Sequence, residues 1–453
     1  MRLAQEPSDE RHVLASELFL NGPAFRNQRL KRMAPGAMMT GVRDGPETDE
    51  LYAGFELDDG YGHAHDHGES VTWLSYGGGM WMICGFSELM AALRDDQTFS
   101  SAHDLPNGHT PFVGVMNPPA SIRALPIELD PPAYLGFRRL LAPFFTSAAV
   151  QALRPSILAH TTWCLDQHIE DGSMDLLDSM IFLVPALVTM EFLGLPLEDS
   201  RIIAEAVHAR GESRFDLNPA WLHLVDTIGA VTAGIAPRPR AGLLAHLLTA
   251  EVDGRPLTRD EILEICFGVV VGGMSTTSKL ALGALSYFGV HLAERQRAIS
   301  EPGYLDTAIE EFLRYYSPVP FLSRTVTRDI TVGGKRIRRG ERVALGFAAA
   351  NRDPCAFPEA NAIDPGRKPN RHLALGLGAH FCIGSHLGRA ETTVMVQQTL
   401  DRMPDYAVTS TYSADDPRRR TSWNERLQRG LTVSFTPGLR LGPDRHLVFN
   451  ELP

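Results

Sequence analysis

Cys382 lies in the stretch LGLGAHFCIGSHLGRAE, Leu375 to Glu391, with Gly376, Gly378 and Gly384 close around one thiol. Beyond it, Ile383, Leu387, Ala390 and Val394 keep helical spacing, so the cysteine stands at the entry to a helix. A helix N-terminus favours an anion, which predicts a lowered thiol pKa. The glycines let the backbone turn tightly and approach a flat object closely.

Four chemistries suit such a loop. The thiol could be a buried structural group beside a helix cap. Gly376-x-Gly378 could open a dinucleotide-binding G-x-G-x-x-G, but Phe381 occupies the third glycine position. Cys382 could be a nucleophile with His380 as base, although His380 stands where the nucleophile elbow places Gly. A soft thiolate as the single protein ligand also suits haem iron, where it favours O–O cleavage.

Three further clusters carry chemistry. Glu311-x-x-Arg314 puts opposite charges on one helix face, as a buried ion network or a surface pair. Gly272-Gly273-Met274-Ser275-Thr276-Thr277 places two glycines inside a helical pattern, at a cost of roughly 1 kcal/mol each relative to Ala. Close helix packing or room for a ligand would explain them. Asp130-Pro131-Pro132-Ala133-Tyr134, followed by Arg138-Arg139, reads as a proline-started helix with a basic turn.

The elements that must hold these residues are mostly helical. The spacing predicts one long helix from Thr258 to about Leu292, opened by a capping box of Thr258 and Glu261 with a Leu257–Ile262 staple. It is apolar nearly all round, hence buried, and roughly 50 Å long at 1.5 Å per residue. A second helix spans Leu305–Tyr316 and ends at Ser317-Pro318. The stretch from Phe321 to Phe347 reads as strands, with Gly333-Gly334 as a hairpin turn. The fold class expected is mainly α with small β-sheets (α+β).

The bulk numbers exclude some functions. A net charge of −11 argues against general nucleic-acid binding, which needs a basic face. Five scattered cysteines without a C-x-x-C fit a reducing compartment rather than a disulfide scaffold. The N-terminus has no apolar signal region, and apolar runs such as Ile181–Met190 fall short of the about 20 residues needed to span a bilayer. A cytoplasmic protein with no membrane partner is expected. Residues 1–50 read as an irregular lead-in and 51–453 as one domain. The His63-x-His65-x-His67 tract reads as a solvated loop by default, since it lacks the spaced partners of a zinc site.

Taken together, Gly376 to Gly384 resembles the ligand loop of the cytochrome P-450 haem-thiolate monooxygenases, F-G-x-G-x-H-x-C-x-G followed by L-A-R. Leu375 replaces the usual Phe, and Gly388 the usual Ala before Arg389. The four motifs occur in the family's order, and the resemblance runs from about Trp73 to Phe435. It implies a haem b between the long helix and the helix after the cysteine loop. Cys382 would be the iron ligand, with Gly376 and Gly384 shaping its loop. Arg138, Arg324 and His380 would hold the propionates, with Tyr134 standing where the family has His. Thr276 would help deliver protons to dioxygen, and Ser275 stands where an acid is usual. Glu311, Arg314 and Arg367 would form a structural network. Val271, Gly272 and Val319 would line the pocket, under a roof from about Ser101–Leu125 and Leu195–Trp221. The implied activity is insertion of one atom of dioxygen into a lipophilic small molecule, by hydroxylation or epoxidation. Electrons would come from a ferredoxin or flavodoxin-type donor, for which Arg367, Lys368 and Arg371 offer a basic cluster. The alternatives are a haem-thiolate protein with isomerase- or dehydratase-like chemistry, a ligand sensor, and a thiol hydrolase using Cys382 and His380.

Overall fold

The structure, a computed structural model, describes residues 68–442 apart from 75–78, 105–111, 117–119, 121, 209–218, 238, 240 and 410–429. The 1–50 lead-in, the His63–His67 tract and parts of both roof segments lie outside the described residues.

The chain enters on strands β1 (Val71–Leu74) and β2 (Met80–Ile83), then helix α1 (Phe86–Ala92) and strand β3 (Phe99–Ser100). Helices α2 (Ala133–Leu141) and α3 (Ser147–Asp166) precede β4 (Ser173–Asp175). Then come α4 (Leu183–Leu193), α5 (Ser200–Val207), α6 (Pro219–Thr232) and α7 (Leu243–Leu247). The ribbon β5 (Glu251–Val252) and β6 (Arg255–Pro256) leads into α8 (Arg259–Gly273) and α9 (Ser275–Val290). Helices α10 (Leu292–Ser300) and α11 (Tyr304–Tyr316) are followed by β7 (Leu322–Val326), β8 (Ile330–Val332), β9 (Lys335–Ile337) and β10 (Arg342–Leu345). The chain continues through α12 (Phe347–Ala350), α13 (Ser385–Arg402), β11 (Ala407–Val408) and β12 (Thr432–Ser434).

The expected mixture of many helices and small sheets is what folds. The largest sheet has the order β1-β2-β10-β7-β3, with β2 and β10 parallel and the other pairs antiparallel. Gly333 and Gly334 take φ of 52° and 75°, so they turn the β8–β9 hairpin as their permissive backbones allow. The main core joins residues of α3, α4, α8, α9, α11 and α13, and a second cluster lies against the large sheet.

The capping box forms as read: Thr258 Oγ1 accepts from the Glu261 N–H at 3.2 Å, and Glu261 accepts from the Thr258 N–H at 2.8 Å. The single long helix does not. It divides at Met274, which has φ −89° and ψ −68°. Two preceding glycines make departure from helix cheap. The Thr276 hydroxyl also donates to the Gly272 carbonyl at 2.8 Å, a side-chain bond to the i−4 carbonyl that bends helices. Arg259–Val290 is apolar and long enough by composition to cross a membrane, but 56% of its most apolar stretch is buried inside the protein, as suits a core helix.

One segment of the expected roof is tied to α8. A Cβ on Gly268 would come within 2.6 Å of the Leu125 carbonyl, so the chain can lie this close only over glycine. Arg123 grips Glu264 with two bonds, 2.9 and 2.8 Å. Buried Glu128 accepts from His103 at 3.0 Å and from the N–H groups of Val115 and Ala124 at 2.9 Å each.

Candidate functional site

The cysteine loop is built by two left-handed glycines. Gly376 and Gly378 have φ of 70° and 73°, and a Cβ on Gly378 would stand 2.5 Å from the Leu93 carbonyl. The Cys382 N–H closes the loop on the Leu375 carbonyl at 2.8 Å. Helix α13 starts at Ser385 with Gly384 as its cap, three residues beyond the thiol. The lowered pKa expected for Cys382 is not found. Burial pushes its thiol up, outweighing the Gly384 N–H and the charges of Arg138 and Arg389. Cys382 precedes the helix rather than sitting in its first turn, and the protein wall removes the water that would solvate a free thiolate. A bound cationic metal would reverse that balance, because coordination deprotonates a thiol outright.

Polar groups surround this loop. Buried Tyr134 donates to the Ala379 carbonyl at 2.6 Å, and its ring lies 4.4 Å from that of His380. Its one proton therefore goes to the loop backbone. Arg138 Nη1 donates to the Tyr134 oxygen at 3.2 Å and to the Phe381 carbonyl at 2.9 Å. His380 Nε2 lies 3.3 Å from Ser101 Oγ, while its buried Nδ1 has no hydrogen-bond partner among the described residues. Burial, and then the charges of Arg324 and Arg138, hold the ring at about 3, hence neutral. Arg324 is buried on β7 opposite Val343, and its Nη1 bonds the Ser323 carbonyl at 2.8 Å. Burial pulls this guanidinium down to about 10, with Asp130 partly offsetting it. No carboxylate bonds it among the described residues.

Helix α9 crosses α13 where Thr277 approaches Gly388: a Cβ there would meet Thr277 Oγ1 at 3.7 Å, an ordinary contact, so packing does not demand this glycine. Gly272 is exposed, and Val271, Gly273, Ser275, Thr276, Lys279 and Val319 are half-buried. A Cβ on Gly272 or on Gly384 would meet nothing within 4 Å.

Glu311, Arg314 and Arg367 do come together. Arg314 is fully buried and uses all five N–H donors: two to Glu311 at 2.8 and 2.7 Å, and three to the carbonyls of Asn351, Ala360 and Ala362 at 2.9, 2.7 and 2.8 Å. Glu311 also accepts from the Asp364 N–H, Arg367 and Asn370, at 2.9, 3.1 and 3.0 Å. Arg367 thus faces inward, leaving Lys368 and Arg371 exposed from the basic cluster.

Sequence reasoning missed Glu310, which accepts two bonds from Arg389 at 2.5 and 2.8 Å and one from His372 at 3.1 Å. Burial pushes its carboxyl up, but these bonds outweigh it and hold the group at about 2. The Glu-Glu doublet was the only signal for this tie between α11 and α13.

A family model described as Cytochrome P450 matches residues 293–403. Probable cytochrome P450 127A1 of Sinorhizobium fredii is 31% identical over 353 residues, covering 76% of this chain and 82% of that protein. Erythromycin C-12 hydroxylase of Saccharopolyspora erythraea is 30% identical, covering 76% and 85%. Among solved structures, CYP109E1 of Bacillus megaterium in complex with testosterone superposes with a TM-score of 0.71 at 25% identity, covering 86% of this chain and all of that one. The polyketide synthase cytochrome P450 PksS of Bacillus subtilis gives 0.70 at 26%, covering 86% and 98%.

Proposed function

The chain belongs to the cytochrome P450 family of haem-binding monooxygenases, and on that premise we propose that it oxidises a lipophilic small molecule in one catalytic domain, where Cys382 would hold the haem iron. The observation that supports the site assignment is the set of groups at and near the cysteine loop and on α8: among the described residues, a buried Arg324 guanidinium that bonds no carboxylate and acts on His380, a His380 Nδ1 without a partner, and open space at Gly272 and Gly384. These fit a flat group with a soft-metal centre and anionic side arms. When bound, haem b supplies the activation of dioxygen and the transfer of one oxygen atom to a C–H or C=C bond.

The chain's own residues do the rest. Cys382 Sγ presents the thiolate. Arg324 and His380 would offer N–H donors to the propionates, and Arg138 would add its Nη2 edge, which bonds nothing among the described residues. Tyr134 acts through the Ala379 carbonyl, fixing the loop that carries the sulfur. Gly272, where a Cβ would meet nothing within 4 Å, would leave room for the substrate. Thr276 Oγ1, which donates to the Gly272 carbonyl, would hold a proton for the oxygen chemistry, and Ser275 could relay but not supply one at neutral pH. Val271 and Val319 exclude water from the reacting carbon. A ferredoxin- or flavodoxin-type protein delivers the electrons, with exposed Lys368 and Arg371 as contacts. The similarity to an erythromycin hydroxylase and to a cytochrome P450 solved with testosterone supports a lipophilic substrate.

The test is turnover with a surrogate ferredoxin system and isotopically labelled dioxygen across a lipophile library. One labelled oxygen per product supports the proposal; products free of label favour isomerase- or dehydratase-like chemistry. Thr276→Ala should keep its haem and its reduced carbon monoxide spectrum. Its product per electron pair should fall by on the order of 10²-fold, the smaller end of what a positioned proton donor contributes. Peroxide assayed against reductant consumed reads this directly, and unchanged coupling removes Thr276 from the role.

A further inference from the structure

Ser101 is fully buried, and no role above uses it. It directly follows β3, whose Ser100 pairs with Thr325 of β7. Carried one residue further, that register sets Ser101 across from Arg324. One acid orders the whole segment. Asp130 Oδ1 accepts from the Ser101 N–H at 2.7 Å, and Asp130 Oδ2 accepts from the Ser100 hydroxyl at 2.5 Å. Ser100 Oγ in turn accepts from the Ala102 N–H at 3.1 Å. The Ser101 backbone is thereby fixed. Its hydroxyl has one partner among the described residues, His380 Nε2 at 3.3 Å. The Tyr134 ring lies 4.4 Å from the same imidazole, whose buried Nδ1 has no partner among the described residues.

A hydroxyl can donate or accept, and a neutral imidazole carries its proton on one nitrogen or the other. If the proton is on Nε2, His380 donates to Ser101 and Nδ1 is a bare lone pair. If Ser101 donates, the proton stands on Nδ1. Only the second arrangement gives His380 a donor to offer an anion. The charges acting on the ring are those of Arg324 and Arg138, two cations that draw an anion to the same place.

We propose that Ser101 is a positioning residue for His380: its hydroxyl donates to Nε2, which holds the ring and keeps the N–H on Nδ1 for a carboxylate side arm of the haem. The assignment rests on haem binding at Cys382 and adds the residue that decides which His380 nitrogen serves. The bond made by one ring nitrogen sets what the other presents. Hydrogen bonds in line also polarise one another, so a carboxylate taken by Nδ1 would strengthen the Ser101 bond behind it.

The test uses the holoprotein as its diamagnetic ferrous carbon monoxide complex, with isotope-labelled histidine nitrogens. Two-bond proton–nitrogen correlation spectra distinguish the tautomers, and the His380 signals are those missing from His380→Gln. In the wild type the proton should sit on Nδ1. In Ser101→Ala the signals should move to the Nε2–H form or to a mixture. Haem should then pass to apomyoglobin about tenfold faster, the smaller end of what a hydrogen bond to a charged group contributes. A residue that merely fills space would change haem retention without moving the proton. A wild-type proton on Nε2, a ring protonated on both nitrogens, or a Ser101→Ala protein with its tautomer unchanged would each overturn the proposal. The wild-type spectrum decides even if Ser101→Ala does not fold. A chain that takes up no haem sinks the haem site itself, whereas a haem-loaded chain with the proton on Nε2 sinks only the role of Ser101.

Discussion

Cys382→Ser should abolish the long-wavelength absorption of the reduced carbon monoxide complex and reduce product formation to background. A serine hydroxyl is a hard, protonated ligand at neutral pH and lacks the electron donation of a thiolate. The structure also says why no other cysteine can take over. Cys84, Cys164 and Cys266 are sealed in the core, and burial pushes all three thiols up, to about 12 for Cys84 and Cys266. Cys355 is exposed on a loop. Cys382 alone lies between those extremes, enclosed by protein yet with accessible surface. Haem content and the carbon monoxide difference spectrum check the prediction. A variant that keeps the thiolate band would move the ligand to another residue.

Glu311→Ala should be the most destabilising of the side-chain truncations considered. It removes the carboxylate that receives five bonds and strands the buried guanidinium of Arg314 beside that of Arg367. Breaking a buried pair by deleting one partner costs about 3–5 kcal/mol. That is a large part of the roughly 5–15 kcal/mol that holds a native protein together. Both Glu311 and Arg314 have fully buried side chains, so solvent does not screen the loss. The urea midpoint of the holoprotein should fall accordingly, and haem should be lost at lower denaturant. Glu311→Gln, which keeps the shape and one acceptor oxygen, should lose less. A midpoint shift near zero for Glu311→Ala would show the network to be ornamental.

What the sequence revealed was local or paired at helical spacing. The Thr258–Glu261 box, the Gly333-Gly334 turn and the Glu311–Arg314 pair need only three or four residues each, and all formed. What it hid was decided by distant chain. Gly272-Gly273 and the polar run Ser275–Lys279 flank Met274, but helical apolar stretches stand on both sides, so α8 and α9 read as one helix. The Cys382 thiol was expected low from its helix, but enclosure by other elements governs it. The partners that complete Arg314 are backbone carbonyls 37 to 48 residues away, which carry no side-chain signature. Tyr134 could be placed near the site by resemblance, yet its bond to Ala379 spans 245 positions.

The spread of Glu311's partners along the chain has a consequence for biosynthesis. A ribosome delivers α11 well before it delivers Asp364, Arg367 and Asn370. At about 5–20 residues per second, the acidic centre waits seconds for its donors. The loop bearing the sulfur emerges after them, so prosthetic-group capture is a late event in the life of the nascent polypeptide. Chains stalled ahead of residue 370 should yield readily to protease and hold no pigment, whereas chains released at full length should resist and colour.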